Sequence, residues 1–198
     1  PTGLALSRVQ LDAVLRANPD VPVVVDEAYV HFGAESAVSM LTAYKNLVVV
    51  GTFSKSRQMA GGRLGYAVAR KEVIEDLDRI KFSFNPYNVN SMTMAAAAAS
   101  VEDNVYFEDC RQKVMATRAR TLEKLRSLGF EATDSLANFV FVWHPQKSGG
   151  EMYKALREAG ILVRWWDAPR IADWLRITVG TDEQMEALFA ALEAILKQ

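Results

Sequence analysis

The sequence predicts an α/β fold, with a mostly parallel sheet covered by helices on both faces and a second, smaller α/β domain after it. Two continuous runs rich in β-branched residues, 21–25 and 46–51, are typical of strands buried in a parallel sheet. Segments with the helical spacing of apolar residues alternate with these runs, which favours a sheet flanked by helices. A chain of 198 residues is long enough to bury such a core.

The first domain is expected to span residues 1–111. Its predicted elements are a helix at 7–17, strands at 21–25, 46–51 and 63–69, a helix at 71–82, and one or two long helices within 90–128 that continue past the boundary. Ser7 is placed to cap the first helix, because its hydroxyl can accept a hydrogen bond from the N–H groups of the first turn. The stretch 90–128 is nearly free of Gly and Pro, which favours long helices there.

The smaller domain is expected to span residues 112–198. Its predicted elements are two strands within 130–143, a helix at 150–159, strands at 161–165 and 174–179, and a last helix that Thr181 caps. The tryptophans at 165, 166 and 174 are expected to pack within this domain. His31 and His144 are far apart in the sequence and show no metal-ligand spacing, so packing roles are expected for both.

Composition excludes several classes of protein. A formal net charge of -1 gives no electrostatic reason to bind nucleic acid or an anionic membrane. The longest apolar runs are strand-sized and too short to cross a bilayer. Cys110 is the single cysteine and cannot form an internal disulfide, which favours a reducing compartment such as the cytoplasm.

An acidic residue and a lysine each follow a predicted strand. Asp26 comes directly after the run 21–25, and ligands of open α/β sheets bind beyond the carboxyl ends of strands. Lys55 follows the run 46–51 and lies near the hydroxyls of Thr52 and Ser54, with Arg63 eight residues later. Hydroxyls and a guanidinium suit a phosphate dianion, and a lysine in a dry site is a nucleophile. A turn cap at Asp26 and a solvated turn around Lys55 are the simpler alternatives.

A third candidate is Arg176, which interrupts an otherwise apolar predicted strand. Arginine binds a carboxylate through two parallel hydrogen bonds, so Arg176 suits an amino-acid substrate. Arg164, on the preceding predicted strand, is a second candidate for an anion. An edge-strand arginine facing water remains the alternative for either position.

Together these segments resemble the fold-type I pyridoxal-phosphate (PLP) aminotransferases, in order and in local context. Within that family the resemblance is greatest to the histidinol-phosphate aminotransferases, and it covers essentially the whole chain. It rests on the motifs Pro1-Thr2-Gly3, Asp26-Glu27-Ala28-Tyr29, Ser54-Lys55-Ser56, Tyr87-Asn88-Val89-Asn90, Ala137-Asn138-Phe139 and Arg176-Ile177-Thr178-Val179-Gly180-Thr181.

The resemblance implies a role for each candidate. Lys55 would carry the cofactor covalently and act as general base, while Asp26 would pair with the pyridine nitrogen. Tyr29 would hydrogen-bond the phenolate oxygen of the ring. The phosphate of the cofactor would be held by Thr52, Ser54 and Arg63, and the substrate anions by Arg176 and Arg164.

The implied reaction is transamination between histidinol phosphate and 2-oxoglutarate in histidine biosynthesis, in a homodimer. Alternatives are an aromatic or broad-range aminotransferase, a phosphothreonine decarboxylase of the same fold, or an aminotransferase-like effector-binding module. The family chain is considerably longer at its N-terminus, so the sequence is expected to be the C-terminal half of a large domain plus a small domain. Such a fragment is expected to bind PLP poorly and to show little activity alone.

Overall fold

A computed structural model describes residues 1–197. By their internal contacts these residues divide into two compact units. The first unit is Leu6–Cys110, and the second joins Pro1–Ala5 to the segment that begins at Arg111. No helix in the described part of the chain is both long and apolar enough to cross a membrane.

The unit Leu6–Cys110 contains the predicted helix, three strands and further helices. Its elements are α1 (Arg8–Ala17), β1 (Val23–Asp26), β2 (Leu47–Thr52), β3 (Gly65–Ala69), α2 (Lys71–Phe84), α3 (Ser91–Glu102) and the start of α4 (Asn104–Ser127). The predicted cap of α1 is confirmed, because the Ser7 hydroxyl accepts from the backbone N–H of Gln10 and the Gln10 side chain bonds back to Ser7. The stretch 90–128 forms two helices, with a break at Asp103.

The three-stranded sheet has the order β1-β2-β3, and its direction corrects the prediction of a mostly parallel sheet. β1 and β2 are parallel, whereas β2 and β3 are antiparallel. A parallel pair needs a crossover that returns the chain to the opposite edge, usually through a helix. The link 53–64 holds only one 3-10 turn, Ala60–Gly62, and brings the chain back alongside β2 instead.

Burial differs between the first two strands. Leu47 and Val49 of β2 are fully buried, as predicted, and pack with Leu11 and Leu15 of α1. β1 was also expected to be buried on both faces, and this is wrong within the described residues. Val23 and Val25 face the cluster under α1, but Val24 is 61% exposed on the opposite face.

The second unit is built on an antiparallel sheet with the order β4-β5-β7-β6. Its elements are most of α4, then β4 (Glu131–Ala132), β5 (Phe139–Trp143), α5 (Gly149–Glu158), β6 (Arg164–Trp165), β7 (Trp174–Thr178) and α6 (Asp182–Leu196). Thr181 caps α6 as predicted. Every second residue of β5 and β7 faces a core shared with the helices, and these residues are Val140, Val142, Leu175 and Ile177.

The opposite face of this sheet is aromatic. Phe139, Phe141 and Trp143 of β5 lie on it, and the ring of Trp174 on β7 stacks on Phe141 at 4.7 Å between centroids. Trp165 instead packs against the core and stacks on Tyr153. The expected packing of these two tryptophans within the unit is therefore confirmed.

Pro1–Ala5 joins the second unit through backbone contacts. The Leu136 N–H donates to the carbonyl of Gly3 at 2.8 Å, and the Thr133 hydroxyl donates to the carbonyl of Thr2 at 2.6 Å. Gly3 has a φ of +72°, and a Cβ there would lie 2.2 Å from the Ser135 hydroxyl oxygen. This position therefore requires glycine.

Candidate functional site

Lys55 lies in the link between β2 and β3, three residues after the last residue of β2. It is half-buried, and its ammonium nitrogen lies 5.7 Å from the centroid of the Tyr29 ring. Tyr29 follows the carboxyl end of β1 by three residues. Because β1 and β2 are parallel, their carboxyl ends meet at the same edge of the sheet, and the structure brings these two predicted site residues together.

Asp26 ends β1 opposite Val50 and is exposed. One carboxylate oxygen accepts a hydrogen bond from the N–H of Ala28 at 2.9 Å, so the side chain caps the turn that leads to Tyr29. The capping alternative is thus present in the structure. This bond uses one of the two carboxylate oxygens, which leaves the second available to a ligand.

The buried carboxylate of this motif is Glu27, which the sequence reasoning passed over. Glu27 is 8% exposed and accepts hydrogen bonds from the Ser36 hydroxyl at 2.8 Å and the Ala37 N–H at 2.5 Å. These bonds anchor the 3-10 turn Ala37–Met40 over the core of the unit. The only sequence signal was Ser36 in a helix-capping position nine residues later.

Thr52 and Ser54 form a small hydroxyl cluster at the end of β2. Their two hydroxyl oxygens are 3.0 Å apart, and Thr52 also accepts from the Ser54 N–H at 3.1 Å. The Thr52 hydroxyl lies 3.2 Å from the carbonyl of Leu64, to which it can donate. When the Thr52 hydroxyl donates to the Ser54 oxygen instead, the Ser54 hydroxyl keeps its own proton for an acceptor outside the cluster.

Arg63 is exposed and adopts the left-handed conformation, with φ 51° and ψ 40°. A non-glycine residue in this region is uncommon and marks a constrained turn. Its guanidinium donates to the carbonyl of Ala60 at 3.1 Å. This bond uses one of five N–H groups, which leaves donors for an anion.

A second network, missed from the sequence, supports the Lys55 loop. The buried Ser56 hydroxyl lies 3.1 Å from Nδ1 of His31, which ties the residue after Lys55 to the turn after Tyr29. The Phe107 ring meets His31 edge-on at 5.5 Å and lies 3.7 Å from the guanidinium carbon of Arg57. His31 therefore packs, as expected, but it packs against the candidate site.

Tyr66 of β3 lies beside this loop. Burial raises the pKa of the Tyr66 phenol, and the nearby Glu27 carboxylate raises it further, while Arg57 opposes both. Its ring also fills the space above Gly51, where a Cβ would lie 2.3 Å from the Tyr66 ring. Gly51 is thus needed at this point of β2 for close approach.

Arg164 and Arg176 lie in the other unit, where the expected proximity of their strands is confirmed. They are direct partners across β6 and β7. The Arg176 guanidinium lies 4.9 Å from the Phe139 ring and 5.5 Å from the Trp166 ring, and Arg164 lies 5.2 Å from the same Trp166 ring. The Nε of Arg176 is buried and has no hydrogen-bond partner among the described residues.

The candidate residues therefore form two groups, each described within its own unit. Asp26, Tyr29, Thr52, Ser54, Lys55 and Arg63 belong to Leu6–Cys110, and Arg164 and Arg176 belong to the other unit. In residues 1–197, no cluster of three or more His, Cys, Asp or Glu side chains is arranged to hold a metal ion.

The chain is similar to known proteins in both sequence and fold. The sequence profile of the family described as Aminotransferase class I and II matches residues 1–192. A histidinol-phosphate aminotransferase of Marinomonas sp. is 50% identical over 197 residues, covering 98% of this chain and 56% of that protein. The chain thus spans little more than half the length of the curated relatives it matches.

Two solved structures illustrate the fold. The histidinol-phosphate aminotransferase of Sinorhizobium meliloti, in complex with pyridoxal-5'-phosphate, matches with a TM-score of 0.86 and 25% identity, over 100% of this chain and 55% of that one. The L-threonine-O-3-phosphate decarboxylase of Porphyromonas gingivalis matches with a TM-score of 0.80 and 26% identity, over 100% and 62%.

Proposed function

Because the chain belongs to the class I and II aminotransferase family, we propose that the complete protein transfers the amino group of histidinol phosphate to 2-oxoglutarate, using PLP. The main structural support is Lys55, whose amine lies beside Tyr29 at the carboxyl edge of the β1–β2 pair. The 50% identical relative named for this activity supports the choice of donor.

The residues at this edge fit PLP by their chemistry. Lys55 is an amine that can bond a carbonyl carbon, and Asp26 is a carboxylate that can face a ring nitrogen. The Ser54 hydroxyl, which accepts from Thr52 and can still donate its own proton, suits a phosphate dianion. The N–H groups of Arg63 that do not bond to Ala60 suit it as well. We infer that these residues, with Tyr29 and Thr52, hold the cofactor.

When bound, the cofactor ring supplies an electron-withdrawing group that stabilises negative charge on the donor carbon. The negative charge of Asp26 would keep a proton on the ring nitrogen, and Tyr29 would donate to the phenolate oxygen. The Lys55 amine would take the proton from the carbon that bears the donor's amino group. Each role uses a group that the sheet edge exposes or half-exposes.

Arg176 and Arg164 are proposed to bind the substrate anions. Arg176 would orient a carboxylate of 2-oxoglutarate, and both arginines would meet the phosphate of histidinol phosphate. Two guanidiniums on paired strands favour a dianion over a single carboxylate. We further propose that the complete protein is a cytoplasmic homodimer and that the two units are its large-domain part and its small domain.

A second candidate is a phosphothreonine decarboxylase, since a decarboxylase of that kind shares the fold at 26% identity. Both donors carry a phosphate, so the arginine pair does not separate them. The product does, because decarboxylation releases carbon dioxide and consumes no keto acid. Carbon dioxide release from phosphothreonine, without amino transfer to 2-oxoglutarate, would favour the decarboxylase.

The test of the proposed function is Lys55→Ala in the complete protein, with Lys45→Ala as its control. Lys45 is an exposed lysine ahead of the same strand. Lys55→Ala should lose the absorbance of covalently held cofactor and lower transamination by at least about a hundredfold, because a general base is removed. Borohydride reduction and peptide mapping of the unmodified protein should label Lys55. Label on another lysine would disprove the assignment.

A further inference from the structure

The aromatic face of the second unit holds two cations on one ring. Arg164 and Trp166 are two residues apart in an extended segment, and Arg176 is the direct partner of Arg164 across the strand pair. All three therefore lie on the same face. The Trp166 ring centroid is 5.2 Å from the Arg164 guanidinium carbon and 5.5 Å from that of Arg176.

Like charges directly opposite each other on neighbouring strands repel. Among residues 1–197, neither Arg164 nor Arg176 forms an ion pair, and the buried Nε of Arg176 has no acceptor. The negative face of an indole attracts a guanidinium, so Trp166 offsets part of this repulsion without neutralising either charge. Both arginines thus remain available to an anion.

We propose that Trp166 is a positioning residue that holds Arg164 and Arg176 together as one binding pair and so sets the preference for a phosphorylated donor. This inference rests on the proposed function for its substrate. Its own content is that the pair depends on the ring. Without the indole, repulsion would separate the two guanidiniums, and each would bind an anion singly.

Trp165 provides a matched control next to Trp166. Its ring points to the other face of the sheet, stacks on Tyr153 at 5.7 Å and packs against the core. Its indole N–H donates to the carbonyl of Ala172 at 2.6 Å. A change at Trp165 should therefore affect folding stability but leave the arginine pair in place.

The experiment compares histidinol phosphate with histidinol, the same donor without its phosphate, in the complete protein. Trp166→Leu should raise KM for histidinol phosphate by roughly tenfold with kcat nearly unchanged, and change the histidinol values by less than about twofold. Trp166→Phe keeps a ring and should restore most of the preference. Trp165→Phe should lower the melting temperature without changing the ratio of the two donors.

A titration with inorganic phosphate tests the pair without turnover. The Kd for phosphate should rise by roughly tenfold in Trp166→Leu and by only about two- to threefold in Trp166→Phe. An unmodified protein that uses both donors equally would overturn the proposed donor. An unmodified protein that prefers the phosphorylated donor, with a Trp166→Leu variant that keeps both that preference and its phosphate affinity, would overturn the role of Trp166 alone.

Discussion

Replacing Glu27 with alanine is expected to destabilise the unit Leu6–Cys110 far more than replacing its neighbour Asp26. Glu27→Ala removes the acceptor of two hydrogen bonds, from the Ser36 hydroxyl and the buried Ala37 N–H. Hydrogen bonds to charged groups contribute about 1.5–3 kcal/mol each, and a buried donor left unpaired costs about 1–3 kcal/mol. Because the Ser36 hydroxyl can turn to another acceptor, a total of roughly 2–4 kcal/mol is expected.

Asp26 is exposed and makes one local bond to Ala28, so Asp26→Ala should cost less than about 1 kcal/mol. Glu27→Gln is the intermediate case. Its carbonyl can still accept from Ala37 and its amide can donate to Ser36, so about 1 kcal/mol is expected from the loss of charge.

Amide hydrogen exchange over residues 27–44, read by mass spectrometry, is the appropriate assay. All four tryptophans lie after Arg111, so their fluorescence reports the other unit. A local loss of 2–4 kcal/mol should speed exchange by roughly 30- to 700-fold. Equal exchange in Glu27→Ala and Asp26→Ala would refute the reasoning that burial separates these two carboxylates.

Three further changes have defined outcomes. In the complete protein, and on the proposed function, Asp26→Asn should leave PLP bound, by absorbance, and lower transamination by about a hundredfold or more, since an amide cannot stabilise the ring proton. Near-normal turnover would remove Asp26 from that role. Ser56→Ala should lower the free energy of unfolding, measured by urea denaturation, by about 1–2 kcal/mol, because the hydroxyl that bonds to His31 is lost. The hydrogen bonds of Ser148 hold the pKa of Glu151 below its usual value. Their contribution to folding stability is therefore fully present above the ordinary glutamate pKa and is lost as the pH falls through the lowered pKa. Ser148→Ala should raise that pKa in an NMR titration, and an unchanged value would contradict the cause.

The parts of the fold that local chemistry determines could be predicted from the sequence. Ser7 and Thr181 cap their helices because a hydroxyl needs only the N–H groups of the next turn. The direction of β3 could not be predicted in this way. It depends on where the link 53–64 returns the chain to the sheet. The apolar pattern of a strand is the same whether the strand pairs parallel or antiparallel with its neighbour.

The candidate site shows the same division. Lys55 and Asp26 were identifiable because each follows a strand, and strand ends meet where strands are parallel. Which of two adjacent carboxylates is buried depends on Ser36, a partner distant in sequence. The Ser56–His31 bond joins residues 25 positions apart, and no spacing rule predicts such a pair.

The attachment of Pro1–Ala5 to the second unit has a consequence for the timing of synthesis. The carbonyl of Thr2 accepts from Thr133, 131 residues later. At about 5–20 residues per second, a ribosome takes roughly 7–26 s to make that partner. The strands β1 to β3 lie within residues 23–69 and can pair during this interval. The long separation therefore delays completion of the second unit. It lowers the stability of that unit only slightly, because the entropic cost of closing a loop rises with the logarithm of the loop length.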